Sequence, residues 1–267
     1  MLIDTHCHLD AAEFDADRLA VLAEARRRGV SAIVVPAVHR DNWFDVQQLA
    51  EQQEGVFFAL GIHPIHVDEA TEDDLAALAR CLAGLRDHPR LVGIGEIGLD
   101  FFVPGLDLIW QQKVFETQLR LASDLGLPVI LHTRRAVDQV ARVLRRFRPV
   151  SGIAHAFNGS LQQATQLIGM NMALGFGGAM TFDRARNIRR LAASLPAECL
   201  VLETDAPDMA PAWVHPGRNA PSELPRMADV LAGLRGWTPE EVARTTTENA
   251  RRVLPGLDLH KLLENNV

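Results

Sequence analysis

Short apolar runs and amphipathic stretches alternate eight times along this chain, and that alternation restricts the fold more than any single motif does. Leu2, Ile3 and Thr5 suit a short buried strand, and residues 31–36, 56–61, 91–96, 128–132, 150–155, 172–176 and 199–205 repeat the pattern. Most of these runs are continuously apolar, as expected of strands buried on both faces. Between them, apolar residues recur at helical spacing. The expected helices are 11–28 (Phe14, Leu19, Leu22 and Ala25, stopped by Gly29), 41–54 with Asp41 as N-cap, and 71–85 with Thr71 and Asp74 as a variant capping box. Residues 109–125, 136–147, 160–168 and 185–194 continue the series, and 222–234 and 239–253 close it.

Strands alternating with helices imply a parallel sheet. Eight such units in 267 residues imply an α/β chain folded as a single (β/α)8 TIM barrel, one domain over residues 1–267. An open doubly wound sheet would want a glycine-rich turn after its first strand, where this chain has His6, Cys7 and His8. The long loops are expected after strands 4 and 8, at residues 98–108 and 206–221.

The net charge of −7 excludes a polycation that coats nucleic acid. Any such contact must be local, salt-sensitive and made by a few arginines, since Lys113 and Lys261 are the only lysines. Cys7, Cys81 and Cys199 are far apart and form no CxxC pair. That pattern suits a reducing compartment, without disulfides or a cysteine zinc site. No signal-like start and no membrane-length apolar run is evident, so the expectation is a cytoplasmic protein with no membrane and no obligate protein partner.

The polar residues at the strand ends carry the chemistry. Residues two apart in a strand share a side, so His6 and His8 should leave strand 1 together while Cys7 points into the core. Later strand ends supply His63, Glu96, His132, His155 and Asp205. In a barrel these ends converge on one face. His6, His8, Glu96, His132, His155 and Asp205 make a mixed nitrogen and oxygen set suited to divalent metals. Six ligands suit two ions bridged by a carboxylate, with Glu96 as the bridge. His6, His8, Glu96 and Asp205 would hold one ion, and Glu96, His132 and His155 the other.

Each residue also has a plainer reading. His132 and His155 could be hydrogen-bonded core histidines, Glu96 a salt-bridge partner, and Asp205 a turn residue before Ala206 and Pro207. Those readings must all hold at once to displace the metal site. His63, before Pro64, is either a loop brace or a substrate contact. His39, His66, His88, His215 and His260 are expected outside the site. Two metals activate water for displacement at phosphorus or acyl carbon. Asp205 could take the water's proton, making Asp205 and Glu96 the expected catalytic residues. Arg134 and Arg135 follow His132 closely enough to reach a phosphate oxygen, or else cap the next helix.

The sequence resembles the TatD family of metal-dependent deoxyribonucleases, within the amidohydrolase-like barrels, and especially its YjjV-like branch. The resemblance rests on residues 3–10 (Ile-Asp-Thr-His-Cys-His-Leu-Asp), 61–64 (Gly-Ile-His-Pro) and 95–100 (Gly-Glu-Ile-Gly-Leu-Asp). It continues through 131–134, 155–160, 202–207 and 247–251. It implies a (β/α)8 barrel with two divalent ions (Zn, Mg or Mn) and hydrolysis of DNA phosphodiesters, in the manner of a 3′–5′ exonuclease. Its metal positions fall on the same six residues. Two departures stand out: His155-Ala-Phe-Asn in place of the usual His-Ser/Gly-Phe-Ser, and Asp208 where many members carry an aromatic. The acidic chain suits single-stranded DNA or DNA ends better than a long duplex. The alternatives are a metal hydrolase of a small-molecule ester, amide, lactone or phosphate, and a non-enzymatic barrel with structural metals.

Overall fold

A computed structural model describes residues 1–257, so His260 and Lys261 lie outside the described residues. The strands are β1 (Leu2–Asp4), β2 (Val30–Pro36), β3 (Val56–Leu60), β4 (Leu91–Gly98), β5 (Val129–His132), β6 (Gly152–Ala154), β7 (Met172–Phe176) and β8 (Leu200–Leu202). They pair in parallel in sequence order, as one eight-stranded sheet. The helices are α1 (Arg18–Arg27), α2 (Trp43–Gln52), α3 (Glu72–Leu85), α4 (Leu108–Leu125), α5 (Val137–Phe147), α6 (Leu161–Ile168), α7 (Arg186–Ser194), α8 (Leu224–Arg235) and α9 (Pro239–Val253). This is the expected barrel.

The seam between β8 and β1 closes just beyond the ladder. Thr5 donates to the Leu202 carbonyl through its N–H (3.1 Å) and its hydroxyl (3.0 Å), and the Asp205 N–H donates to the His6 carbonyl (2.8 Å). The buried Asp4 carboxylate accepts from the N–H and hydroxyl of Thr204.

Alternation along the strands sorts their side chains into two layers. Ile3, Val34, Phe57, Val92, Ile130, Ile153, Ala173 and Val201 form one cluster with Val253, Leu254 and Leu257 from the end of α9 and the segment after it. That segment therefore plugs the end of the barrel opposite the strand C-termini. Val35, Phe58, Leu60, Leu131 and Leu202 belong to the larger layer between strands and helices. Each such fully buried aliphatic or aromatic side chain contributes about 1.5–3 kcal/mol of transfer free energy, which is what makes eight very short strands sufficient.

Helix termini follow local chemistry. Thr71 and Asp74 form the expected capping box at α3, with bonds of 3.3 and 2.7 Å. Thr238 and Glu241 do the same at α9, where Pro239 takes the first position. Asp41 is not the N-cap of α2. His39 instead caps a 3-10 turn at Arg40–Asn42, its Nδ1 accepting the Asp41 N–H, and α2 starts at Trp43. The first helical stretch also splits. Phe14 lies buried in a separate 3-10 turn (Ala12–Phe14), Leu19 is 64% exposed, and the inward stripe of α1 is Val21, Leu22 and Ala25. The loops after β4 and β8 are long, as expected. Asn219 braces the second, donating to the carbonyls of Thr204 and Asp208 at 2.8 Å each. Among the described residues no helix is long and apolar enough to cross a membrane.

Candidate metal centre

His6 and His8 lie past the end of β1 rather than within it. Their Nε2 atoms nevertheless come within 3.2 Å of each other, and Cys7 is fully buried with its Sγ toward the Ala206 carbonyl. The alternation persists because the Cys7 N–H still bonds the Val34 carbonyl of β2. On β4 the register with β5 breaks between Ile94 and Ile97, the stretch that holds Glu96. Gly98 permits the close approach that follows. Its φ is +151°, and a Cβ there would lie 2.0 Å from the His132 carbonyl. Asp205 sits beyond β8 at φ 56°, a left-handed conformation that aspartate tolerates better than most residues.

Glu96 is the centre of the cluster. Its Oε2 faces His6 Nε2 (3.1 Å) and His8 Nε2 (3.5 Å), and Asp205 Oδ1 lies 3.6 and 3.7 Å from those same nitrogens. Its Oε1 faces His155 Nε2 (2.7 Å), His132 Nδ1 (2.9 Å) and His63 Nε2 (3.1 Å). The His6 and His155 rings stack, with centroids 3.9 Å apart. All six expected ligands thus come together, and His63 joins them.

Burial and the Glu96 charge compete in the electrostatics. Burial would raise the Glu96 carboxyl, but the imidazoles around it, protonated His155 first, hold it well below the usual range. Burial keeps His63 neutral, with its pKa lowered to about 4, and lowers His6 as well. The protons that Glu96 attracts settle on His155, raised to about 10 against its burial, and on His8. Burial opposes this, but His8 is nearer solvent than His6, and Glu96 with Asp205 raises it to about 9. Burial raises the Asp205 carboxyl.

The donor set fits a divalent metal. A tetrahedral ion with ligands at about 2.1 Å holds them about 3.4 Å apart, and the contacts around Glu96 bracket that spacing. Three groups place their donor atoms within 4.8 Å of one another: His6–His8–Glu96, His6–His155–Asp205 and His63–Glu96–His132. His6 Nδ1 and His155 Nδ1 are buried without a partner.

The far side of each ring assigns its proton. His63 Nδ1 accepts the Ile65 N–H at 3.1 Å, so in the neutral ring the proton sits on Nε2, directed at Glu96. His63 is therefore a donor into the mouth, although its position alone would group it with the ligands. His132 Nε2 faces Asp100 Oδ2 at 2.9 Å, which leaves Nδ1 toward Glu96.

Arg134 and Arg135 are exposed on the turn after β5 and form no ion pair among the described residues. Their guanidinium carbons lie 3.7 and 4.6 Å from the centre of the half-exposed Phe102 ring, from the loop after β4. The remaining histidines do local work. His39 caps its turn, His66 lies 3.7 Å from Glu69, His88 pairs with Glu51, and His215 meets the Phe182 ring edge-on.

Two buried acids at the site had no role in the sequence reading. Asp100 has Oδ1 accepting the N–H groups of Phe102 (2.7 Å) and Val103 (2.9 Å). Burial would raise it, but bonds from His132 and those N–H groups bring it to about 2. Glu203 accepts the Ala156 N–H through Oε1 and leaves Oε2 unpartnered. Burial pushes it up to about 8. Its carboxylate fills the space over Gly175, where a Cβ would lie 2.0 Å from it. Both lie in the segments 95–100 and 202–207, and Gly175 on the neighbouring strand is the signal that room exists for the Glu203 carboxylate.

Ligand-type side chains gathered at the strand C-termini of a parallel barrel define a metal-dependent hydrolase. The comparisons place it further. Residues 3–255 match the family described as TatD related DNase, and the chain belongs to that family. It is 39% identical to the uncharacterized metal-dependent hydrolase YjjV of Escherichia coli strain K12, over 92% of this chain and 95% of that protein. The solved structure of YjjV, a TatD homologue, superposes with a TM-score of 0.91, covering 95% of this chain and 98% of that one. A relative from Erwinia billingiae named 3′-5′ ssDNA/RNA exonuclease TatD is 32% identical over 94% of this chain and 98% of its own length.

Proposed function

We propose that this hydrolase cleaves phosphodiester bonds of DNA, acting on single strands or ends in the 3′–5′ exonuclease manner, with two divalent ions held by His6, His8, Glu96, His132, His155 and Asp205. The observation that carries the reading is the division of labour on Glu96. Oε2 serves the His6, His8 and Asp205 side, and Oε1 serves the His132 and His155 side. Bound there, such ions supply activation of water and neutralisation of charge on the departing oxygen.

The protein's own groups supply the rest. Asp205, whose basicity burial increases, takes the proton of the attacking water. His63 stays neutral and uses its Nε2–H as a hydrogen-bond donor to a substrate oxygen at the mouth. Arg134 and Arg135, stacked on Phe102 and free of acidic partners, hold a phosphate on the rim. The name of the Erwinia relative supports a nucleic-acid substrate. The net charge of −7 and the short arginine pair support a local grip on one strand. The three free cysteines agree with a reducing cytoplasm.

The test is mononucleotide release from 3′- or 5′-labelled single-stranded DNA by EDTA-stripped protein resupplied with Mg, Mn or Zn. Metal-dependent release, lost in Asp205→Asn, is expected. No release with any metal, from protein that binds two ions, overturns the nuclease reading and moves the substrate to a small ester, amide, lactone or phosphate.

A further inference from the structure

We infer that Asp100 is a positioning residue that selects which nitrogen of His132 serves the metal centre, by holding the Nε2 proton and so leaving Nδ1 free. This rests on the metal reading of the site. Asp100 is wholly buried, and both its oxygens have assigned work. Oδ1 accepts the N–H groups of Phe102 and Val103, so the carboxylate cannot rotate without breaking two backbone bonds. Oδ2 lies 2.9 Å from His132 Nε2, while Nδ1 of the same ring lies 2.9 Å from Glu96 Oε1. A neutral imidazole carries one proton, and the ring nitrogen without it is the one that ligates. Both facing carboxylates lack a proton to give, but Glu96 Oε1 is shared with His155 Nε2 (2.7 Å) and His63 Nε2 (3.1 Å), whereas Asp100 Oδ2 serves His132 alone, so Asp100 is the acceptor that keeps the proton on Nε2. A far-side carboxylate of this kind also makes the ligating nitrogen more basic.

The fixed orientation of Asp100 separates this role from simple loop bracing. In Asp100→Asn the amide oxygen takes the two backbone N–H groups, which turns the amide NH2 toward His132 Nε2. Nε2 must then accept, the proton moves to Nδ1, and the ligand atom is blocked. Asp100→Ala loses the loop contacts but imposes no tautomer. A bracing role makes Ala the more damaging change and Asn silent. A tautomer-setting role makes Asn the more damaging for metal.

The experiment has two readouts. Long-range proton–nitrogen NMR on 15N-histidine protein, stripped of metal and held at alkaline pH, reports the His132 tautomer, assigned with a His132→Gln variant. Nε2–H in the wild type and Nδ1–H in Asp100→Asn are expected. Chelator competition with zinc then follows stoichiometry and affinity. Asp100→Asn is expected to weaken one of two ions about 10–100-fold, and more than Asp100→Ala does. Unchanged tautomer, or Asn binding both ions as the wild type does, overturns the inference. A wild type that binds no second ion overturns the metal reading beneath it instead.

Discussion

The carboxylate of Asp4 receives both the backbone N–H and the hydroxyl of Thr204, at 2.9 and 2.5 Å, and so ties the first strand to the residue before Asp205. Nearby, the Asp205 N–H bonds the His6 carbonyl. One buried contact thereby sets the spacing between two ligand-bearing segments 200 residues apart in sequence.

Thr204→Val keeps the shape of the side chain and removes the hydroxyl, leaving a buried Asp4 oxygen without its donor. The expected cost is about 1–3 kcal/mol, read as a lower urea midpoint at unchanged slope. A midpoint equal to the wild type's would show that the seam does not depend on this bond.

Burial raises the Asp4 carboxyl to about 7, with bonds from Thr204 and His6 offsetting only part of that. The folded state therefore holds this proton between its ordinary value of 3.8 and about 7 while the unfolded state does not. The stabilisation is complete below the lower value and is lost as pH rises through the upper one. In metal-free protein, raising the pH across that window should favour Asp4→Asn over the wild type by up to about 1.4 kcal/mol per pH unit. Urea unfolding of both proteins at several pH values checks this. A constant difference would mean that Asp4 stays ionised throughout.

Glu96→Gln removes the negative charge that both halves of the centre face. Bound metal should fall from two ions per chain to one or none, and turnover should drop at least about 100-fold, with the barrel still folded. Metal analysis, kinetics and circular dichroism on one preparation measure all three. Two tightly bound ions in this variant would remove Glu96 from the bridge.

Arg134→Ala and Arg135→Ala each delete one charge-assisted phosphate contact at an exposed position. KM for single-stranded DNA should rise about 10-fold, with a smaller effect on kcat. The slope of log KM against log salt should flatten by about 0.7 per contact. An unchanged KM and slope would return these arginines to packing on Phe102.

The barrel and its ligand face were legible from local signals. Apolar runs of strand length, helical spacing between them and ligand-type residues at the run ends depend on neighbours in sequence, as do the boxes at Thr71 and Thr238. Asp41 misled because its backbone N–H is taken by His39, a competitor for the cap that periodicity does not reveal. Leu19 does not join the inward stripe because Phe14, with which its spacing fits, belongs to a separate turn.

The eight strand–helix units, and the gathering of Glu96, four imidazoles and Asp205 at one mouth, follow from the chain's local pattern, because strand ends of a parallel barrel must share one face. Which oxygen of Glu96 faces which ring, the inward Nε2–H of His63, and the burial of Asp100, Glu203 and Asp4 beside the site emerge only in the folded barrel. Those facts depend on distances between segments remote in sequence. A carboxylate's role follows from the donors that other strands bring to it, and no spacing along the chain encodes those.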